Sequence, residues 1–578
     1  MLSFRSVRRR GWGLFLKSIL IVCLFVIFIQ ITSSHPRGVT YQQDEQVLEK
    51  VESYAHLPAE QKSIQHVDGK IEISQVQHVE KKLKKPRENE FYENVIVHFD
   101  LKGAPPKVPY FKQLLNLVAK AGATGVLIEW EDMFPWKGKL EIAKSTDAYS
   151  LNDVREILSE ATTLGLDIIP LVQTFGHLEW VLKLDEYKHL RENEAYPQVL
   201  CLGDEEGVDI VKDALRQVIE VHSEYGIPYF HIGADEAFEF GVCPKSQQWI
   251  SKHGSDGGRQ TLALSHLKTI AQHVKSLTNT TVLAWHDMLK DFDGRLIKKL
   301  ELFKFIQPVV WDYSENIVTM NDWSFSTLAD NFPIIWASSA YKGANFPSAK
   351  YIDIRHYETN NRAWINTKQT QQRKFRKFGG IIITGWQRYD HMAALCEILP
   401  MGTPSMVLQI QIALLGSTGN TNMARTKAAQ ILGCSGFDVH ELNIISNSCN
   451  FPGSLVYMLF QGTARQTIDH VEGELGRNHH IMGWLSPYSM RHNYSQNWYL
   501  KQIEPTVSNL FSQLQNVEDN LRREMSKLFF DNTIDEFLYI TMGPTTDKMK
   551  NMVSETKRLQ RLRVYPKRHF PIVRKVEL

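Results

Sequence analysis

Short apolar runs alternate with helix-period stretches, glycines stand at the helix-to-strand joints, and polar and aromatic residues follow the run ends. Together these predict an α/β fold: a (β/α)8 TIM barrel with an N-terminal membrane anchor and a mainly helical C-terminal extension. A doubly wound open sheet is the rival architecture, and no GxGxxG follows the first run to favour its nucleotide-binding form. With 43% hydrophobic and 22% charged residues the chain can bury a sizeable core. A net charge of +2 gives no drive toward nucleic acid. The six cysteines form no CxxC pair, which argues against a structural zinc site. No metal or cofactor is expected.

The first element is the anchor. Arg5, Arg8, Arg9 and Arg10 precede a stretch, residues 11–32, interrupted only by Lys17, Ser18 and Gln30. A membrane span needs about 20 residues, and the basic flank keeps residues 1–10 cytoplasmic and sends the rest across. This describes a single-pass type II protein of the secretory pathway, with the rest of the chain in the lumen of the Golgi or a related compartment, or outside the cell. A cleaved signal peptide is the competing reading, but Ile31-Thr32-Ser33-Ser34-His35 matches a small-x-small cleavage site poorly. Residues 33–90, polar and ending in the charge run Glu80–Arg87, read as a solvated stem. The sequons at Asn279 and Asn493 fit a lumenal glycoprotein, and five of the cysteines would then meet an oxidising space that allows one or two disulfides.

The barrel is expected over residues 91–415. Its strands are read from the apolar runs 95–99, 125–128, 167–172, 229–232, 281–285, 307–311, 334–337 and 380–384. Helix-period stretches lie between them, among them 110–121, 151–164, 208–225 and 262–277, and Gly122, Gly165 and Gly226 stand where a helix C-cap belongs. Residues 416–578 are expected to be mainly helical. There, residues 506–530 carry an amphipathic stripe of Val507, Leu510, Phe511, Leu514, Val517, Leu521 and Met525, read as packing.

A (β/α)8 barrel carries its chemistry at the carboxyl ends of its strands. Asp100 and Lys102 follow the first run, Glu129 and Glu131 the second, Gln173 and His177 the third, and Asp235 and Glu236 the fourth. Trp285, His286 and Asp287 follow the fifth, Trp311, Asp312 and Tyr313 the sixth, Tyr341 the seventh, and Trp386 to Asp390 the eighth. Adjacent carboxylates at a strand end repel, which favours holding one of them protonated as a usable acid. The tryptophans suit the stacking of sugar faces.

His231-Ile232-Gly233-Ala234-Asp235-Glu236 resembles the fourth-strand signature of the β-N-acetylhexosaminidases of glycoside hydrolase family 20, and in particular its hexosaminidase D branch. The likeness runs from about Val97 to Leu415 and includes His98–Lys107, Leu171–His177 and Thr384–His391. It implies an exo-acting hydrolase of terminal non-reducing β-linked GalNAc or GlcNAc that retains configuration. The substrate's own acetamide attacks through an oxazolinium, an exception to the two-carboxylate scheme. By resemblance, Glu236 is the general acid/base and Asp235 orients and stabilises the acetamide. His177, Trp285, Trp311, Tyr341, Trp386 and Asp100 are the expected substrate-binding residues. Core packing is the competing reading for His177 and for each tryptophan, and a surface position for Tyr341.

The chain also departs from the pattern. Asp100-Leu101-Lys102 stands where lysosomal-type members place an arginine after the first strand, Gly343 where they carry an aspartate, and Trp386-Gln387-Arg388 replaces Trp-Gly-Glu. Recognition of the sugar hydroxyls must therefore be rebuilt, which leaves the epimer open; the branch likeness tilts it toward GalNAc. Two other functions compete: a lectin-like pseudoenzyme on the same barrel, and a retaining glycosidase with Asp312 or Glu129 as nucleophile. The natural glycan, pH optimum and oligomeric state are not legible.

Overall fold

The computed structural model describes residues 91–570 apart from 254–255, 348, 419 and 436–448. The expected cytoplasmic tail, anchor and stem fall on residues 1–90, outside the described residues. Among the described residues no helix is long and apolar enough to cross a membrane.

Eight parallel strands form the barrel: β1 (Val95–Asp100), β2 (Gly125–Glu129), β3 (Asp167–Leu171), β4 (Tyr229–His231), β5 (Thr281–Trp285), β6 (Ile306–Trp311), β7 (Ile334–Lys342) and β8 (Lys377–Gly385). Neighbours pair in chain order, and β1 pairs with both β2 and β8, which closes the ring. All six residues of β1 and all five of β2 are buried, so these strands read as continuous apolar runs. Alternation sorts their faces. Ile96, Leu127, Ile169, Leu283, Trp285, Val309, Trp336 and Ile382 fill the lumen as one cluster. Val97, Phe99, Val126 and Ile128 point the other way, into the layer shared with the helices.

The crossover helices are α1 (Val108–Ala121), α2 (Leu151–Thr163), α3 (Glu205–His222), α4 (Arg259–Leu277), α5 (Gly294–Lys299), α6 (Asp322–Asn331), α7 (Ile354–Gln371) and α8 (Leu399–Leu415). Local chemistry sets their ends. Ser150 and Asp153 form a reciprocal capping box that starts α2, and Gly122, at φ 94°, closes α1 in the left-handed cap.

Two departures from the sequence reading bear on the site. Strand β7 continues through Ser338 and Ser339 to Lys342; small hydroxyl side chains fit the buried strand, and that of Ser339 is paired, donating to Asn361 Oδ1 at 2.9 Å. A hairpin of Arg191–Asn193 and Tyr196–Leu200, too short to show as an apolar run, is inserted between β3 and α3. Disulfides join Cys201 to Cys243 and Cys434 to Cys449, while Cys396 is a buried thiol.

Beyond the barrel stand α9 (Asn497–Met525), α10 (Asp531–Thr541) and α11 (Gly543–Gln560). Helix α9 begins nine residues before the expected stripe, because Leu500 and Ile503 extend its buried face. This region packs on the barrel. The Lys107 N–H donates to the Leu528 carbonyl at 2.7 Å, and Pro106 pairs with Phe529 as an isolated bridge.

Candidate active site

The turn that follows β4 is wound against the usual hand. Gly233, Ala234 and Glu236 have φ of 63°, 73° and 48°. For the two non-glycine residues this costs roughly 1–3 kcal/mol each, a strain that collects at functional sites. The turn presents two neighbouring carboxyl groups differently: the Asp235 side chain is 9% exposed and that of Glu236 36%. From β3 comes His177, itself at φ 52°. Its Nε2 lies 3.3 Å from Glu236 Oε2 and 3.6 Å from Asp235 Oδ2. Gly176 makes that approach possible, since a Cβ there would stand 2.2 Å from the Asp235 carbonyl oxygen.

Burial opposes charge on His177, but the carboxylates of Asp235, Glu236 and Glu179 outweigh it and raise the imidazole to about 10, so it is a cation at neutral pH. Burial raises Asp235 to about 7; His177 works against this, while Asp287 and Glu236 add to it. One oxygen of Asp235, Oδ1, is buried at the cavity with no hydrogen-bond partner in the protein.

Neighbouring strands brace the turn. Gln173 Oε1 accepts the Ala234 N–H at 3.2 Å, and Asp287 Oδ2 accepts the Glu236 N–H at 2.8 Å. The other oxygen of Asp287 accepts the Trp311 indole N–H at 3.0 Å. Below, Lys102 Nζ sits 3.3 Å from Asp100, 3.3 Å from Glu129 and 3.4 Å from Glu131. Burial works against this ammonium, but the three carboxylates hold its pKa well above the ordinary value. Glu131, Asp132 and His391 approach one another closely enough to suggest a cation site. Ammonium groups already face it, Lys102 Nζ at 3.4 Å from Glu131 and Lys183 Nζ hydrogen-bonded to His391 at 2.6 Å.

These groups open into a cavity of about 490 Å³ at the carboxyl ends of the strands, within the range of small-ligand sites. Of the expected catalytic and substrate-binding residues, Asp235, Glu236, His177, Trp311 and Trp386 line it. Asp100, Trp285 and Tyr341, also expected to touch substrate, stand outside its lining. Tyr341 lies inside β7, not in the loop beyond it, and its hydroxyl donates to the His98 carbonyl at 3.2 Å. Trp285 is lumen packing, its ring 4.3 Å from that of His231 and 5.9 Å from that of Trp386. Asp100 ties loops together: its carboxylate accepts the Lys102 N–H at 3.0 Å and the Gln387 N–H at 2.7 Å.

Tyr313, Tyr389, Asn345 and His356 also line the cavity. Tyr313 and Tyr389 were legible only as members of strand-end clusters, and Asn345 and His356 carried no signal. Tyr313 stacks on Trp311 with rings 5.5 Å apart and 21° between planes, and the pair makes one aromatic wall. The departures also find explanations. At Gly343, φ is 69° and a Cβ would lie 1.9 Å from the Trp386 carbonyl, so no side chain can stand there. Arg388 turns away from the cavity and grips Glu536 of α10 through two bonds of 2.6 Å.

The family model "Glycosyl hydrolase family 20, catalytic domain" matches residues 129–387. The chain is 32% identical over 467 residues to the Homo sapiens protein named Hexosaminidase D, a match that spans 80% of this chain and 93% of that one. It is 38% identical over 339 residues to Hexosaminidase D of Bos taurus, spanning 57% and 95%. Among solved structures, the match to the Flavobacterium johnsoniae chitobiase covers 81% of this chain and 72% of that one at 13% identity and a TM-score of 0.46. The residues of the cavity, the barrel that presents them and these relatives lead to one assignment: the chain belongs to glycosyl hydrolase family 20 and is a glycoside hydrolase, a β-N-acetylhexosaminidase of the hexosaminidase D branch.

Proposed function

We propose that the protein is an exo-β-N-acetylhexosaminidase that removes terminal non-reducing β-linked GalNAc or GlcNAc with retention, using the substrate's acetamide as nucleophile. The observation that carries the reading is Asp235 Oδ1, a buried acceptor at the cavity that finds no donor within the protein. A buried polar atom left unpaired is costly, and the N–H of a bound acetamide supplies what it lacks. Glu236, beside it and more exposed, protonates the glycosidic oxygen while the acetamide oxygen bonds to the anomeric carbon and the aglycone departs. Asp235, which the His177 cation pushes toward its ionised form, faces the positive charge that develops on the acetamide nitrogen. Glu236, now a carboxylate, takes a proton from water, which opens the oxazolinium with net retention.

The rival with an enzyme nucleophile fits less well. Asp312 is occupied: it accepts Ser314 N–H at 2.8 Å, Thr319 N–H and Thr319 hydroxyl at 2.7 Å each, and the Ser314 hydroxyl. Glu129 is buried between Lys102 and His98. In the cell the chain is proposed to be a type II membrane protein with tail 1–10, anchor 11–32, stem 33–90, catalytic barrel 91–415 and helical region 416–578. Two disulfides and the exposed Asn279 sequon support a lumenal, glycosylated barrel.

The test uses chromogenic β-GalNAc and β-GlcNAc glycosides beside the matching 2-hydroxy glycosides. Turnover confined to the acetamido sugars, blocked by a thiazoline that mimics the oxazolinium and lost in Glu236→Gln, is expected. Equal turnover of 2-hydroxy glycosides would sink the substrate-assisted reading, and the ratio of the first two identifies the epimer. Sugar binding without turnover would instead favour the lectin-like alternative.

A further inference from the structure

Asp287 opens a short helix, Asp287–Asp291, directly after β5, and it does not line the cavity. Its two carboxylate oxygens each hold one part of the site. Oδ2 accepts the backbone N–H of Glu236 at 2.8 Å, and Oδ1 accepts the indole N–H of Trp311 at 3.0 Å. The first bond lands on a residue with φ of 48°, a left-handed conformation that a glutamate adopts only when its surroundings impose it. The second fixes the Trp311 ring, which also stacks on Tyr313 and meets His286 edge-on. A single carboxylate from β5 thus joins the loop after β4 to the end of β6. It sets the distance between the proposed acid and the aromatic wall against which a sugar ring lies.

We infer that Asp287 is a positioning residue: it holds the Glu236 carboxyl at the glycosidic oxygen by anchoring the strained backbone beneath it and the facing tryptophan together. The inference rests on Glu236 being the general acid. Asparagine cannot replace Asp287, because its amide has one acceptor oxygen and would turn N–H groups toward one of the two donors.

Leaving groups separate this role from a merely structural one. A good leaving group departs with little help from an acid, whereas a poor one depends on the proton. Asp287→Asn and Asp287→Ser, each checked for native circular dichroism and melting, are compared with the parent on 2,4-dinitrophenyl and phenyl β-N-acetylhexosaminides. Misplacing the acid lowers kcat/KM on the phenyl glycoside by about 10²-fold and on the dinitrophenyl glycoside by less than about 10-fold, with KM on the latter little changed. Equal losses on both substrates, or no loss, overturn the inference. Should both variants fail to fold, Trp311→Phe, which removes one of the two anchored groups, is held to the same ratio. Glu236→Gln runs beside them. If it shows no leaving-group dependence, the assignment of the acid has failed; if it does and the Asp287 variants do not, only the positioning role has.

Discussion

His177 Nε2 stands 3.3 Å from Glu236 Oε2 and 3.6 Å from Asp235 Oδ2, so one imidazole serves both members of the acid pair. Raised to about 10 by those carboxylates against the pull of burial, it is cationic wherever the enzyme works near neutrality. It therefore favours ionised Asp235 over the neutral form that burial alone would select. Replacing it with a neutral, similar-sized group should lower kcat by about 10²-fold and leave folding intact. Steady-state kinetics of His177→Gln beside a thermal melt checks this. An unchanged kcat would show that the ring only fills space.

Asp235 makes the reaction sensitive to acid. Its folded pKa is about 7, above the ordinary 3.8, because burial disfavours the carboxylate. As pH falls through about 7 it takes up a proton, can no longer stabilise positive charge on the acetamide, and kcat/KM falls. Linkage has a definite sign. The folded state binds this proton more tightly than the unfolded chain, so this group's contribution to stability is greatest below about pH 4 and declines as pH rises to about 7. In Asp235→Asn both the acid limb of the rate profile and that slope in the melting temperature should disappear, at a much lower rate throughout. A limb that survives the substitution belongs to another group.

The helical region should matter to the barrel through Glu536. Its carboxylate receives Arg388 Nη1 and Nη2 at 2.6 Å each and the Leu395 N–H at 3.2 Å. The Arg388 Nε also donates to the Lys102 carbonyl at 3.1 Å, so the bond chain reaches the loops after β1 and β8. With Arg388 nearly buried and Glu536 partly open, Glu536→Gln should cost about 1–3 kcal/mol. Denaturant unfolding measures that loss. KM should rise with it, since Trp386 and Tyr389 flank Arg388 in the same loop.

The disulfide Cys201–Cys243 clips the segment after Glu236 to the end of the hairpin inserted after His177. Its separation of 42 residues corresponds to about 4 kcal/mol in the chain-entropy account of cross-linking. Buried Glu192 reinforces the join by accepting the Cys243 N–H at 2.8 Å and the Ser246 hydroxyl at 3.0 Å. Cys243→Ser, or reduction under native conditions, should lower the melting temperature and cost activity before the barrel as a whole unfolds. Coincident loss of activity and of far-ultraviolet signal would count against that order of events.

The apolar runs, the helix-period stretches between them and the glycine caps determined the barrel without any tertiary information, because a parallel strand buried on both faces and a helix buried on one leave different periods in the chain. The strand-end positions likewise disclosed Asp235, Glu236, His177, Trp311 and Trp386, since the fold confines its chemistry to that face. What the sequence could not decide is which way a side chain turns once a strand ends or continues. Tyr341 follows the seventh apolar run in the sequence, yet β7 continues past it to Lys342 and its hydroxyl is spent on His98. Asp100 and Trp285 sit at strand ends and still face a neighbouring loop and the lumen. The bracket of Asp287 on Glu236 and Trp311, the clasp of Arg388 on Glu536, and the closure of position 343 by the Trp386 carbonyl all join residues 24 or more positions apart. Such relations depend on elements being placed to within about an ångström, and only the packed chain fixes that.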